Sequence, residues 1–225
     1  MGEMSGATAI KICGITKLDD AEYAVEAGAW AVGCVMWDGS ARRCEQSEAR
    51  EICKRLQRQA EVCGVYVNAS LDDLVNEVDA LGFTMVQLHG DEGPAFCEAV
   101  RSRTGVKVIK AMRVISGEQV NDLERFHHVD YHLLDTHHPE LRGGTGESWD
   151  WKLAATRHSS IPLILSGGLD SENVREAISV VHPFAVDTAS GTDRAPGEKD
   201  PAKVTAFCEA VAATAPPLVS EELSS

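Results

Sequence analysis

Short apolar runs alternate with longer stretches of helical spacing along this chain, and they do so about eight times. The apolar runs are Ala9–Cys13, Ala31–Met36, Val62–Val67, Met85–Leu88, Val106–Ala111, Tyr131–Asp135, Leu163–Ser166 and Ala185–Asp187. They are rich in Val, Ile and Leu and mostly lack polar alternation, as parallel strands covered on both faces do. Helical spacing fills the intervals at Leu18–Ala27, Glu45–Gln59, Ser70–Leu81, Gly93–Arg103, Gly117–Phe126, Asp150–Arg157, Ser171–Val180 and Pro201–Ala213. Thr16 stands where it would cap a helix beginning near Lys17. Asp72-Asp73 and Asp170-Ser171 put carboxylates and capping groups at helix starts, where the helix dipole favours them.

Strand–helix alternation implies a parallel sheet. Eight such units in 225 residues fit a closed (β/α)8 barrel better than an open doubly wound sheet. One α/β barrel domain is expected over residues 1–214, with 215–225 as a frayed tail. The longest irregular segment, His137–Ser148, follows a predicted strand, a position where long loops carry function.

Composition narrows the partners. A hydrophobic fraction of 44% supplies a sizeable core, and a net charge of −14 argues against nucleic acid and anionic membranes. A small anionic ligand remains open, because backbone N–H groups bind phosphate locally whatever the net charge. The seven cysteines are odd in number and irregular in spacing, so reduced, buried thiols and a cytoplasmic location are expected. No Cys-x-x-Cys pair occurs, and His137-His138 has no suitably spaced partner, so no metal is expected. Residues 1–9 lack a basic region followed by an apolar run, so no secretory leader is expected, and no apolar stretch is long enough to span a membrane.

In a barrel the loops after the strands gather at one face, and that face holds the active site. The polar residues at those ends are Cys13, Ser40 and Arg42, Asn68, His89 and Asp91, Arg113, Asp135, Ser166-Gly167-Gly168, and Asp187 through Gly191. Two of the loops, around Gly167-Gly168 and Ser190-Gly191, are glycine-bearing and follow strands seven and eight, where barrels commonly hold phosphate. Cys13 and Asp135 are the candidate base and acid. A thiol needs neighbouring cations to populate its thiolate, and a carboxyl needs burial to hold its proton near neutrality. Arg42 is suited to a bidentate hold on a carboxylate, with Arg43 as its competitor. His89 is either a ligand contact or a rim histidine. The set fits a neutral-pH proton transfer on a phosphorylated, carboxylate-bearing small molecule.

Seven segments, taken in order, resemble the phosphoribosylanthranilate isomerase family. They are Lys11-Ile12-Cys13-Gly14-Ile15-Thr16, Gly64-Val65-Tyr66-Val67-Asn68, Val86-Gln87-Leu88-His89-Gly90, Leu134-Asp135 with Gly143-Gly144-Thr145-Gly146 and Asp150-Trp151, Leu165-Ser166-Gly167-Gly168-Leu169 with Asn173-Val174, Val186-Asp187 with Ser190-Gly191, and Gly197-Glu198-Lys199-Asp200. The resemblance implies a (β/α)8 barrel of tryptophan biosynthesis that needs no cofactor and acts as a monomer or homodimer. It implies an Amadori rearrangement of N-(5-phosphoribosyl)anthranilate to 1-(2-carboxyphenylamino)-1-deoxyribulose 5-phosphate. It further implies Cys13 as general base, Asp135 as general acid and Arg42 as holder of the anthranilate carboxylate. By the same resemblance Asp187 lies near the ribose hydroxyls, and Gly167, Gly168, Ser190 and Gly191 bind phosphate; His89, from its place after strand four, is counted with the substrate-binding candidates. The chain departs from the family pattern at Trp37-Asp38-Gly39-Ser40-Ala41-Arg42, where Ser-Pro-Arg is usual, and at Ala189-Ser190, where two serines are common.

Three other readings were weighed. The aminoaldose-phosphate isomerase of histidine biosynthesis runs the same rearrangement but uses an aspartate at the position of Cys13. Indole-glycerol-phosphate synthase needs a lysine-rich catalytic set that this chain lacks. A non-catalytic phosphate-ligand-binding barrel has no need of both Cys13 and Asp135.

Overall fold

Strand β1 (Ala9–Cys13) sets the plan of the molecule. Its side chains alternate, so Ile10 and Ile12 join the large apolar layer beneath the helices, while Ala9 and Cys13 join a separate interior cluster. In the computed structural model, which describes residues 7–114, 117–135 and 151–215, eight parallel strands close into a barrel in the order β1 to β8. The remaining strands are β2 (Ala31–Val35), β3 (Glu61–Tyr66), β4 (Met85–Leu88), β5 (Lys107–Arg113), β6 (Tyr131–Asp135), β7 (Leu163–Ser166) and β8 (Ala185–Thr188). The barrel shuts where Ala9 to Ile12 pair with Ala185 to Thr188.

The helices are α1 (Leu18–Glu26), α2 (Gln46–Leu56), α3 (Leu71–Leu81), α4 (Pro94–Thr104), α5 (Gly117–Leu123), α6 (Lys152–Ala155), α7 (Val174–Val181) and α8 (Pro201–Ala212). They cover the outside with Ile52, Leu56, Leu74, Val100, Leu123 and Phe207, each at most 1% exposed. Ser70 caps α3 by accepting from Asp73 N, and Asp200 caps α8 by accepting from Ala202 N and Lys203 N. At the strands' N-terminal end Trp30, Tyr131 and Phe184 pack with ring centroids 5.3–5.5 Å apart. All seven cysteines are free and buried.

The elements lie where the apolar pattern puts them, with informative differences at their ends. Thr16 does not cap α1; its hydroxyl donates to Gly197 O, and Glu48 Oε1 accepts from Leu18 N in its place. Strand β5 runs on to Arg113 because Met112 and Arg113 still pair with Leu134 and Asp135. Helix α5 stops at Leu123, after which Glu124, Arg125 and Phe126 donate three residues back, leaving Phe126 O for the His132 ring. Helix α6 ends before Arg157, whose guanidinium turns to Ile161 O and His132. Helix α7 starts at Val174, after a turn in which Asp170 Oδ1 accepts from Glu172 N and Asn173 N. The pattern missed a hairpin, β9 (Asp193–Ala195) with β10 (Glu198–Lys199), and the 3-10 turn Ser190–Thr192 before it. The His137–Ser148 loop, the segment Gly143 to Gly146, and the expected tail from residue 216 onward lie outside the described residues.

Candidate active site

The C-terminal ends of the strands surround a cleft of about 640 Å³. Cys13, Arg42, His89, Asp135, Gly167, Gly168, Asp187 and Ser190 all line it, from the ends of six of the eight strands or the loops that follow them. Arg43 does not line it. That side chain turns outward to Asp38 Oδ1 at 2.5 Å and Glu45 Oε1 at 2.5 Å, which leaves Arg42 as the cleft arginine. Gly191 stands just behind the lining. A Cβ there would collide with Leu169 O and come within 2.8 Å of Thr188 Oγ1, so only glycine lets the loops after β7 and β8 meet this closely.

The thiol stands on a dry, charged floor. Lys11, one turn of the pleat below Cys13, is fully buried and donates to Asp187 Oδ1 at 2.9 Å. The other carboxylate oxygen of Asp187 accepts from Ser166 Oγ at 3.1 Å. Gly33 makes room for this pair: a Cβ at that position would lie 2.8 Å from Cys13 Sγ and 3.2 Å from Lys11 Nζ. From the other side Lys199, 3% exposed, donates to Cys13 O at 2.6 Å, Asp193 Oδ1 at 2.7 Å and Ala189 O at 3.1 Å.

Burial pushes the Cys13 thiol up; the Lys11 and Lys199 ammoniums pull it down, against Asp187, and the net direction is up. Burial also pulls the two lysines down. For Lys199 that outweighs the Asp193 carboxylate, whereas for Lys11 the Asp187 carboxylate wins and the ammonium is held well above its ordinary value.

The carboxyl side is wetter. Asp135 Oδ2 lies 3.3 Å from His89 Nε2, and their side chains are 17% and 25% exposed. Gln87, buried on β4, sets the ring: its Nε2 lies 2.9 Å from His89 Nδ1. With the amide donating to Nδ1, the imidazole proton sits on Nε2 and points at Asp135. Arg113, whose Cα pairs with that of Asp135, lines the same wall.

Between the two walls Arg42 Nε donates to Asp193 Oδ2 at 2.7 Å, so Asp193 joins Arg42 to Lys199. Gly167 and Gly168 both adopt positive φ, 102° and 66°, which turns the chain sharply out of β7. Asn173 Nδ2 donates to Gly168 O and Thr188 Oγ1 to Leu169 O, fixing that turn against the start of α7 and the end of β8.

Three charged or polar partners do not stand among the polar strand ends: Lys199, Asp193 and Gln87. Lys199 sits in the Gly197-Glu198-Lys199-Asp200 motif and Gln87 in the strand-four motif, and those two motifs are their signal in the sequence. Asp193 had no signal at all. Among the described residues no three His, Cys, Asp or Glu side chains converge as a metal site, and no helix is long and apolar enough to cross a membrane.

The closed parallel barrel, with ionisable groups gathered in a cleft at its C-terminal mouth, defines an α/β-barrel enzyme. Comparison with known proteins gives the particular family. The sequence profile described as N-(5'phosphoribosyl)anthranilate (PRA) isomerase matches residues 10–210, and this chain belongs to that family of isomerases. An N-(5'-phosphoribosyl)anthranilate isomerase of Citrifermentans bemidjiense is 44% identical over 197 residues, 88% of this chain and 93% of that protein. The crystal structure of phosphoribosyl anthranilate isomerase from Thermotoga maritima superposes with a TM-score of 0.83 at 37% identity, covering 92% of this chain and 99% of that one. A further isomerase structure, in complex with reduced 1-(o-carboxyphenylamino)-1-deoxyribulose 5-phosphate, gives 0.80 at 35% identity over 92% and 99% of the two chains.

Proposed function

We propose that this protein rearranges N-(5-phosphoribosyl)anthranilate to 1-(2-carboxyphenylamino)-1-deoxyribulose 5-phosphate, with Asp135 as general acid and Cys13 as general base. The observation that carries the assignment is that both groups face one cleft, three strands apart around the barrel, in a chain that matches the isomerase family over residues 10–210.

Asp135 gives a proton to the furanose ring oxygen. The nitrogen lone pair then forms the C1'=N bond as the C1'–O bond breaks, leaving a cationic Schiff base. Cys13, as thiolate, takes the C2' proton, and the C2'–H electron pair neutralises the iminium to an enolamine. Return of a proton to C1' and loss of the C2' hydroxyl proton yield the ketone, and no redox equivalent is exchanged. His89 Nε2–H holds the Asp135 carboxyl and stabilises it once it has given its proton.

Burial favours the thiol in the free cleft, so the Cys13 proton leaves to solvent water before the thiolate takes the C2' proton. The iminium charge, formed next to it, joins Lys11 and Lys199 in favouring the thiolate at the moment it is needed. Arg42 takes the anthranilate carboxylate and Asp187 stands beside the ribose hydroxyls. Main-chain N–H groups around Gly167, Gly168, Ser190 and Gly191 receive the phosphate. A biosynthetic enzyme with seven free, buried thiols fits a reducing cytoplasm.

The test is turnover of phosphoribosylanthranilate by the wild type, Cys13→Ser and Asp135→Asn. Loss of turnover in both variants, with wild-type-like folding by circular dichroism, supports the assignment; full turnover in both overturns it.

A further inference from the structure

Trp37 is the most exposed large apolar side chain among the described residues, at 46%. The next, Tyr23, lies on α1 and is held by a hydrogen bond to Thr205 Oγ1. Trp37 has a different address: it follows β2 and lines the same cleft as Cys13 and Arg42.

The loop that carries it is tied down. Ser40 N donates to Trp37 O, Arg42 N to Ser40 Oγ and Arg43 N to Ser40 O, at 3.1–3.2 Å. Arg43 anchors the outer side through Asp38 and Glu45. The indole lies back over Gly39 so closely that any Cβ at residue 39 would overlap the ring. An apolar ring of this size, kept half in water on a braced loop, is an open face for a planar ligand group.

We propose that Trp37 is the platform on which the aromatic ring of the substrate stacks, and so the residue that selects an N-aryl over an N-alkyl aminosugar phosphate. The inference rests on the isomerase reading above. A benzoate whose carboxylate is gripped by the Arg42 guanidinium has its ring held beside the same loop, five residues from Trp37 in sequence. The arginine recognises the charge and the indole recognises the flat apolar face. Offset or edge-on stacking supplies this contact without demanding one geometry, so the anilino nitrogen can change hybridisation during furanose opening while the stack persists.

Steady-state kinetics on phosphoribosylanthranilate, with inorganic phosphate as competitive inhibitor, tests this on the wild type, Trp37→Ala and Trp37→Phe. Trp37→Ala is expected to raise KM about 10-fold with kcat within about twofold, and Trp37→Phe to restore most of the loss. The inhibition constant for inorganic phosphate, which has no ring, is expected to be equal in all three. An unchanged KM in Trp37→Ala overturns the proposal. So does a phosphate constant that rises in parallel with KM, which marks Trp37 as a brace of the loop instead of a ligand contact. A wild type that fails to turn over the substrate overturns the isomerase reading itself, and this inference with it.

Discussion

The two walls of the cleft solve opposite problems. On the β1–β8 wall Cys13, Lys11, Asp187 and Lys199 are all at most 8% exposed, and every charge has a partner within 2.9 Å. On the β4–β6 wall His89 and Asp135 are partly open and 3.3 Å apart. A thiolate base needs fixed cations near it and little water, because its pKa is set by the difference between desolvation and charge. A carboxyl acid that meets a ring oxygen needs access, and a single oriented imidazole suffices to hold it. The difference shows where removal of one group should hurt folding and where it should hurt only chemistry.

The largest effects are expected at the two groups proposed to react. Cys13→Ala and Asp135→Asn are each expected to lower kcat about 10³-fold with little change in the melting temperature, as removal of a general base or acid does. A large drop in melting temperature in Asp135→Asn would show that the open wall also braces the fold and would erase the contrast between the walls.

Next comes the buried ion pair. Lys11→Met leaves the Asp187 carboxylate buried with only the Ser166 hydroxyl, and should cost about 3–5 kcal/mol of unfolding free energy in urea titrations. Adding Asp187→Leu to the same chain should recover a large part of that loss. Because Lys11 also holds the Cys13 thiol down, the rise of kcat/KM with pH should move to higher pH in Lys11→Met. A pH profile identical to wild type would show that the ammonium does not act on the thiol.

A third region, at the foot of the barrel, serves as a reference for burial without chemistry. His132 is fully buried, donates from Nε2 to Phe126 O, and is pushed down to about 4 by burial. Above 6.5 both folded and unfolded chains carry it neutral. Between 6.5 and about 4 only the unfolded chain binds the proton, so stability falls with falling pH, by at most about 3 kcal/mol. His132→Gln should flatten that limb of the stability curve while leaving activity at neutral pH unchanged.

The smallest expected effect is at the open wall. His89→Gln should lower kcat about 10-fold with KM nearly constant, because an amide donor still reaches Asp135 but without the aim that Gln87 gives the imidazole. A loss as large as that of Asp135→Asn would make His89 a proton carrier in its own right.

Much of this was legible in the chain. Seven of the eight barrel strands end within a residue of where their apolar runs end, and Cys13, Leu88, Asp135 and Ser166 close theirs on the expected residue. Strand C-termini can be located because Val- and Ile-rich runs must stop where polar loops begin, and barrel topology then puts every such end at one mouth. The choice between Arg42 and Arg43 was not legible. Neighbours on a chain point to different sides, and the side depends on Asp193, 151 residues further along. Trp37 was visible only as a departure from the family pattern, and its exposure follows from the tied turn of residues 37–43.

The amino-acid order alone determined the number and type of the repeating units, the strand ends and hence the thiol and carboxyl at the mouth, since these depend on local periodicity and on where polar residues interrupt it. Tertiary structure alone decided the electrostatic setting of Cys13. Lys11 meets Asp187 across 176 residues and Lys199 meets the Cys13 carbonyl across 186, contacts that exist only because the barrel closes β1 on β8. Desolvation and Coulomb interaction depend on distance in space, not along the chain, so the ionisation of the thiol was settled by closure.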